Sequence, residues 1–308
     1  MTKANRYRRR HIINGAFEVL VTFAVVAFCL GPLFWVLSTS LKPMGSEYLI
    51  PPELWPSKPT LQAYEIILGL SQPGRDDPSD GSTVTGAEEV GISTLGFLVP
   101  IRNSLIVASS VAICTLLVSS LAAYAISRLR FRWKIQSLML LWVGGLLPAV
   151  MVIAPTFVLM RSLGLLKTLP SMILPNIAYN IPLATWLLAI YFSQLPWELE
   201  DAAKVDGYKP LQIFRKVILP LSAPGLFSAG VFAFLGSWGE FMLASVVTMG
   251  IAEVQTVPVA ILNLSFEYRY QWTWISAAII VSVGLMVLVA LIFQRWVIQG
   301  LTAGSVKY

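Results

Sequence analysis

Charged side chains are scarce in this sequence. Asp, Glu, Lys and Arg make up 12% of the 308 residues, whereas hydrophobic residues make up 56%; the average soluble domain carries about twice that charged fraction. A composition so poor in charge is typical of a protein that lies largely in a membrane. The net charge of +6 does not indicate nucleic acid binding, because the Lys and Arg residues cluster beside apolar runs, as the topology signals of membrane proteins do.

The residues that build most metal sites and disulfides are also rare. The two cysteines, Cys29 and Cys114, fall inside apolar runs, and the single histidine, His11, lies in the basic N-terminal stretch. These residues indicate neither a disulfide framework nor a metal site. The sequence also lacks a Gly-x-x-x-x-Gly-Lys-Ser/Thr phosphate loop, a Gly-x-Gly-x-x-Gly and a His-Glu-x-x-His. We therefore expect no catalytic residue, no metal ligand and no ATP hydrolysis by this chain alone.

Long apolar runs make up most of the remaining sequence. A spanning helix needs about 20 mostly apolar residues, and a basic stretch before the first run does not make it a signal peptide, because the run is too long and no small-residue cleavage site follows it. The sequence predicts an all-α membrane protein whose transmembrane domain covers residues 13–297. Its six spans are expected at Ile13–Ser38, Pro100–Ile126, Ser137–Met160, Ser171–Phe192, Ile218–Val247 and Trp274–Val297. Four prolines predict kinks in the third and fourth spans: Pro148, Pro155, Pro175 and Pro182.

Basic residues flank the predicted spans unevenly. They concentrate before the first span, between the second and third, between the fourth and fifth, and after the last. Since cytoplasmic connections carry the excess of Lys and Arg, we expect the basic N-terminus (1–12) and the C-terminal tail (298–308) to be cytoplasmic. The first external connection (39–99) is long. Its hydrophilic insert near 71–91 is too polar to form a core of its own, and the sequence assigns it no role.

Ionisable residues are nearly absent from the spans themselves. An ion-driven transporter usually places several there, whereas Glu240, in "LGSWGEFMLA", is the one convincing case in this sequence. A carboxylate at mid-membrane costs about 2.5–3.5 kcal/mol, so it requires a partner, a cavity or water. Two interpretations stay open. In the first, Glu240, with Trp238 beside it, lines the translocation pathway or its gate. In the second, Glu240 makes a helix-packing hydrogen bond near the outer interface.

A polar stretch, "ELEDAAKVDGYKPLQIFRKVILP", lies between the fourth and fifth spans, from Glu198 to Pro220. Pro196 is suited to start a helix, Gly207 to end it in the left-handed conformation, and Pro210 to start the next. The first of these helices would carry a small apolar face, formed by Leu199, Ala202 and Ala203. A helix that lies on lipid favours a bulky face with a basic rim. Because this rim is acidic, we expect the helix to insert into a groove of a protein partner.

These residues resemble the signature loop of permease subunits in binding-protein-dependent, ATP-driven importers. That pattern is Glu-Ala-Ala, three residues, Gly, and about nine residues before an apolar-Leu-Pro. Here it reads "DAAKVDG" and then "YKPLQIFRKVILP", with Asp201 in place of the usual first Glu and Tyr208 in place of the common small residue. "RNSLIVASS", "LAAYAISRLRFRWK", "ILPNIAYNIPLATWLL" and "GSWGEFMLA" are similar to the carbohydrate-uptake branch, in particular the six-span, maltose-type permease, so the resemblance covers nearly the whole chain.

The resemblance implies the type I ABC importer permease fold and a transport role rather than an enzymatic one. The chain would form half of a pathway for a sugar or related solute in a bacterial or archaeal plasma (inner) membrane. Its implied partners are a second homologous permease subunit, expected to be a different chain, two ATP-binding subunits that hold ATP and Mg, and an external solute-binding protein. The cytoplasmic loop 193–217 and the start of the fifth span would couple to the ATPase through Glu200, Asp201, Ala202, Ala203, Asp206, Gly207, Phe214, Leu219 and Pro220. An ion-coupled secondary transporter and a membrane scaffold protein are the alternatives.

Overall fold

The computed structural model describes residues 3–71, 96–267 and 271–302, and every regular element in these ranges is helical. The α-helices are α1 (Lys3–Ser40), α2 (Gln62–Ile67), α3 (Leu98–Arg128), α4 (Lys134–Gly145), α5 (Ala149–Ser162), α6 (Pro170–Ser193), α7 (Glu198–Val205), α8 (Pro210–Ile213), α9 (Leu219–Leu221), α10 (Ala223–Trp238), α11 (Met242–Thr248), α12 (Val257–Glu267) and α13 (Trp272–Thr302). A π-helical turn, Phe214–Ile218, joins α8 to α9. The predicted hydrophilic insert, apart from Ser71, and the end of the C-terminal tail (303–308) lie outside the described residues.

Four helices of the described chain are long and apolar enough to cross a membrane. They are Phe17–Ser40, Leu98–Arg128, Pro170–Ser193 and Trp272–Trp296. Two pairs of helices pass the same test together, although each pair is bent. They are Lys134–Gly145 with Ala149–Ser162, bent by 91°, and Pro210–Leu221 with Ala223–Trp238, bent by 80°. If each bent pair is one span, the number of spans is six, as predicted.

The third and fifth predicted spans, Ser137–Met160 and Ile218–Val247, are each divided into separate helices. Pro148 precedes α5 with an extended backbone (ψ 130°) and breaks the third span, whereas the other three predicted prolines lie inside α5 and α6. In the fifth span, Pro224 lies in the first turn of α10. A proline lacks the N–H that would continue the helix, and its ring clashes with the carbonyl four residues earlier. The chain therefore turns sharply at Ser222 before α10 begins.

The chain divides into two compact units, residues 1–84 with 264–281 and residues 85–263 with 282–308. In the first unit, the segment that follows α1 is fastened to the end of that helix. Ser38 Oγ donates a hydrogen bond to the carbonyl of Leu54 at 2.6 Å, and the hydroxyls of Ser40 and Tyr64 lie 2.7 Å apart. This part of the predicted 39–99 connection is therefore folded against α1 rather than free.

In the second unit, α3 is anchored near both of its ends. One apolar cluster joins it to α6, α7, α8 and α10 and contains Ala123, Tyr124, Leu188, Phe192, Ala203, Ile213, Phe214 and Ala229. A second cluster contains Val107, Val111, Met172, Ala244, Val247 and Val259. Beside that second cluster, the buried Asn103 donates its two Nδ2 hydrogens to the carbonyls of Glu253 (2.9 Å) and Gln255 (3.0 Å).

Candidate functional site

Helix α7 is an eight-residue helix that ends in a Schellman motif. Gly207 has φ +81°; its N–H donates to the carbonyl of Lys204 at 3.0 Å, and the N–H of Tyr208 donates to the carbonyl of Ala203 at 2.9 Å. This pair of bonds defines the motif, and the left-handed residue in it is usually glycine. The predicted conformation of Gly207 is confirmed, while its role in coupling stays a prediction.

The neighbouring helix boundaries follow local rules. Helix α7 begins at Glu198, after Trp197, rather than at the predicted Pro196. Helix α8 begins at Pro210 as predicted, and the side-chain oxygen of Gln212 accepts a hydrogen bond from the N–H of Lys209 at 2.8 Å. Proline fits this position because the first N–H groups of a helix have no partner inside it. Thus α7 and α8 form two short helices joined by a tight, hydrogen-bonded turn.

The two sides of α7 differ sharply in exposure. Glu200 and Ala203 are buried, with 3% and 5% of their surface exposed, whereas Val205 is 88% exposed. Of the predicted apolar face, Leu199 and Ala202 are exposed, whereas Ala203 packs against the chain itself. The side that points away from the chain is formed by Asp201, Ala202 and Val205, which we call the outer face of α7.

An arginine contacts the buried side of α7. Arg128, the last residue of α3, places its Nε 3.4 Å from Oε1 of Glu200, and both side chains are almost fully buried. Its Nη2 also donates to the carbonyls of Phe192 and Leu195, and its guanidinium lies 4.5 Å from the centroid of the Trp197 ring. The Arg128 contact explains why Glu200, rather than an apolar residue, points inward.

Sequence reasoning missed Arg128 as a site residue. It belongs to the basic stretch "SRLRFRWK", which was interpreted as a topology signal. The helical spacing could have indicated that Arg128 faces inward, since it follows Tyr124 by four residues and lies on the same side of α3 as this buried aromatic side chain. The exposed Arg130 and Arg132 fit the topology interpretation; Arg128 does not.

Burial of Glu200 changes its acidity. Loss of hydration raises the pKa of its carboxyl above the ordinary value; Arg128 and Lys204 lower it, and the neighbouring Asp201 raises it. The net shift is upward, so the loss of hydration outweighs the attraction of Arg128. A buried ion pair of this kind contributes little to net stability. Its main physical effect is therefore to fix the position of α7 relative to α3.

The remaining predicted coupling residues fall on different surfaces. Phe214 is buried, and its ring lies 5.1 Å from that of Tyr124; Leu219 is half-buried against the same cluster. Asp206, Gly207 and Pro220 are exposed, like Asp201 and Ala202. The predicted set therefore separates into residues that hold α7 and α8 in place and residues that are free to meet a partner.

Glu240 lies in the break between α10 and α11. Its Oε1 accepts a hydrogen bond from the N–H of Leu243 at 2.7 Å and its Oε2 accepts one from the N–H of Ala244 at 3.0 Å. The carboxylate thus caps the start of α11, a contact that neither interpretation of Glu240 had named. Trp238 is 2% exposed and donates from Nε1 to Ser282 Oγ at 3.3 Å. A role of either residue in a pathway stays a prediction.

The capping contact predicts different effects for two substitutions of Glu240. We expect Glu240→Ala to destabilise the protein by about 1 kcal/mol, as the loss of a cap does, and to lower the melting temperature of the purified complex. Glu240→Gln should lower the melting temperature less than Glu240→Ala, because its amide oxygen replaces one of the two carboxylate acceptors while its NH2 group faces the other N–H. Equal melting temperatures for Glu240→Ala and the parent would contradict the capping role. Reduced uptake by Glu240→Gln at a temperature where the variant complex remains folded would support the pathway role.

The described residues contain no candidate metal site. No three His, Cys, Asp or Glu side chains there come together in a way that could hold a metal ion. The two cysteines are free thiols, Cys29 exposed and Cys114 half-buried.

Sequence relatives identify the family. Residues 115–303 match the family described as "Binding-protein-dependent transport system inner membrane component". The chain is 34% identical over 286 residues to the trehalose transport system permease protein of Mycobacterium tuberculosis, covering 92% of this chain and 94% of that protein. It is 33% identical over 302 residues to the trehalose/maltose transport system permease protein of Thermococcus litoralis, covering 97% and 99% of the two chains.

The fold has a counterpart among solved structures. It matches a chain in the crystal structure of a bacterial ABC transporter involved in the import of the acidic polysaccharide alginate, with a TM-score of 0.70 and 21% identity. The match covers 96% of this chain and 98% of that one. The chain therefore belongs to the family of inner membrane components of binding-protein-dependent transport systems, the permease subunits of ABC importers.

Proposed function

We propose that this chain forms half of the translocation pathway of an ABC importer for a carbohydrate, and that the outer face of α7 docks on an ATPase subunit. The observation that carries the docking proposal is the division of α7 into a buried side fixed by Arg128 and an outer face in which Val205 is 88% exposed. The carbohydrate proposal rests on the relatives, which are permease proteins of trehalose and trehalose/maltose transport systems.

Membership of the family fixes the general role of the chain. It is a non-catalytic, multi-pass component of the inner membrane, without a cofactor of its own, and ATP is handled by a partner ATPase. The family also implies ATPase subunits and an external binding protein as partners. A second, different permease subunit completes the pathway in our proposal, because one chain with six spans supplies only half of it.

The shape and charge of α7 support docking into a groove. Glu198, Glu200 and Asp201 lie in its first turn, and all but Glu200 are exposed, so the helix presents negative charge beside the small apolar surface of Ala202 and Val205. The buried side cannot turn outward without exposing Ala203 and breaking the contact with Arg128. A partner that binds this helix should therefore offer a narrow groove with basic residues at its rim.

The orientation follows from the basic residues. With six spans, the N-terminus, the loop before α4, the loop that contains α7 and the C-terminus lie on one side of the membrane. These four regions hold the concentrated Lys and Arg residues of the chain, and such regions are cytoplasmic in most membrane proteins. Both termini and α7 are then on the side where ATP is available.

A cross-linking experiment tests the docking proposal. In a chain with Cys29 and Cys114 replaced by serine, we expect Val205→Cys to cross-link to the ATPase subunit in the purified complex. Val143→Cys is a matched control, because Val143 is 60% exposed on α4, within the third predicted span. If Val205→Cys forms no more cross-link than Val143→Cys, the outer face of α7 is not the docking surface.

An uptake experiment tests the importer and its substrate class. Liposomes that contain this chain, its second permease subunit and the ATPase subunits, supplied with the binding protein and labelled trehalose, should accumulate the sugar only when ATP is present inside. A proton or sodium gradient should not replace ATP. Uptake driven by a gradient alone would favour the ion-coupled alternative, and a complex that assembles but shows no uptake of any carbohydrate would favour the scaffold alternative.

A further inference from the structure

We infer that Arg128 is a positioning residue of the coupling site: by holding the end of α3 to the end of α6 and to α7, it makes the three helices move as one body. This inference rests on the proposed docking of α7, because a partner must first displace α7 before Arg128 can transmit the movement to α3 and α6. Nothing in the family pattern "DAAKVDG" includes Arg128, which lies on a different helix and far away in the sequence.

A single guanidinium makes all of these attachments. Nη2 donates to the carbonyl of Phe192 in the last turn of α6 and to that of Leu195 in the connection to α7. Nε faces the carboxylate of Glu200 on α7 at 3.4 Å, and the ring of Trp197 lies against the guanidinium plane. Only arginine has several donors in a rigid planar arrangement together with a face that can stack on an aromatic ring.

Burial of the Arg128–Glu200 ion pair costs free energy, which indicates that the pair fixes the position of α7 rather than stabilising the fold. Both charged side chains are almost completely buried, and apolar residues of similar size usually fill such a space at a lower cost. The carbonyl of Phe192, in the last turn of α6, also accepts a hydrogen bond from the N–H of Leu195 at 3.2 Å. Arg128 adds a side-chain donor to this carbonyl and to that of Leu195, and so holds the segment by which the chain leaves α6 for α7.

A second contact from the same helix strengthens the joint. Tyr124, one turn before Arg128, donates from its hydroxyl to the carbonyl of Pro210 at 3.4 Å, and its ring packs on Phe214. The end of α3 thus contacts α7 through Arg128 and α8 through Tyr124. Because the turn between α7 and α8 is itself closed by hydrogen bonds, a force on the outer face of α7 meets no flexible link before it reaches α3 and α6.

The test uses the complete transporter in liposomes, with Cys29 and Cys114 replaced by serine. Nitroxide labels at Val205 on α7 and at Leu117 on α3, both exposed, report the distance between the two helices. The variants are Arg128→Met, Arg128→Lys and the pair Arg128→Met with Glu200→Leu, which leaves no unpaired buried charge if the single variant fails to assemble. Arg130→Met is the matched control, since Arg130 is exposed two residues later.

In chains without labels, which leave the outer face of α7 free, we expect the Arg128 variants that assemble to transport less solute for each ATP hydrolysed, with a loss of about fivefold or more, the usual lower range of coupling between sites. The distribution of distances between the two labels should broaden in the same variants. Arg130→Met should match the parent in both measurements. Arg128→Lys retains the charge but not the planar donor set, so a complete rescue by lysine would contradict the assigned role.

Several results would overturn the inference. They are an unchanged ratio of solute to ATP in the assembled Arg128 variants, an unchanged label distance, or a broadened distance without any loss of coupling. Failure of the docking proposal is recognised separately, by the absence of a cross-link from Val205→Cys to the ATPase in the parent chain. The label distance between Val205 and Leu117 needs no ATPase contact, so it still decides whether Arg128 holds α7.

Discussion

Gly207→Val should lower ATP-driven uptake by more than about tenfold while the chain still inserts into the membrane. Gly207 has φ +81°, a conformation that costs an ordinary L-residue about 1–2 kcal/mol and a β-branched residue more. No heavy atom lies within 4 Å of the position that a Cβ would occupy, so the effect comes from the backbone and not from a clash. Relief of the strain breaks the Schellman motif and moves both the end of α7 and the start of α8.

Uptake into liposomes and quantitative recovery of the complex from membranes are the measurements for this prediction. Gly144→Val is a suitable control, because a Cβ at Gly144 also meets nothing within 4 Å and no left-handed φ is found there. Gly207→Asn should keep more activity than Gly207→Val, since asparagine tolerates the left-handed region better. Normal uptake by Gly207→Val would show that the shape of this turn does not matter for transport.

Asp201→Lys is the second substitution for which we expect a large effect, a loss of ATPase association or of stimulated ATP hydrolysis. Asp201 is 69% exposed on the outer face of α7, so its reversal changes the charge that a partner meets. It also has a local partner, since Lys204 Nζ lies 2.7 Å from its Oδ1. Such a pair on a helix surface contributes only about 0.2–0.5 kcal/mol, too little for its loss to unfold α7.

A charge swap separates the two roles of Asp201. In the double variant Asp201→Lys with Lys204→Asp, the local ion pair is retained while the charge at position 201 stays reversed. We expect this variant to remain as impaired as Asp201→Lys, because docking depends on the charge presented to the partner. Restored ATP hydrolysis in the swap would mean that only the local pair matters, and full activity of Asp201→Lys itself would exclude this side chain from the docking surface.

Features with a local cause were predictable from the sequence. The apolar runs predicted the four long apolar helices and the two bent helix pairs. Gly207 and Pro210 predicted the turn between α7 and α8, because a left-handed backbone and a missing N–H act within a few residues. Pro148 was predicted to kink the third span, but hydropathy could not reveal that the helix breaks there or that the fifth span turns at Ser222. A proline inside an apolar run can kink, break or leave a helix continuous, as Pro155 shows inside α5, and the outcome depends on neighbouring helices.

Features that depend on a distant partner were not predictable from the sequence. The burial of Glu200 could not be predicted, because the sequence does not show that Arg128 lies beneath it. Burial of a glutamate is unfavourable unless a partner is present, so α7 considered alone predicts an exposed Glu200. The capping role of Glu240 was missed for a related reason, since the helix that it caps begins at a break that the apolar run conceals.

The fixation of α3 at both ends has a geometric consequence. The helix has 31 residues, a rod about 45 Å long, attached through Arg128 at one end and through the two hydrogen bonds of Asn103 at the other. A tilt of this rod about its middle moves its two tips in opposite directions. In the proposed pathway, space gained beside α3 at one membrane surface would then be lost at the other, so the tilt of one helix would keep the entrance and the exit from being open together.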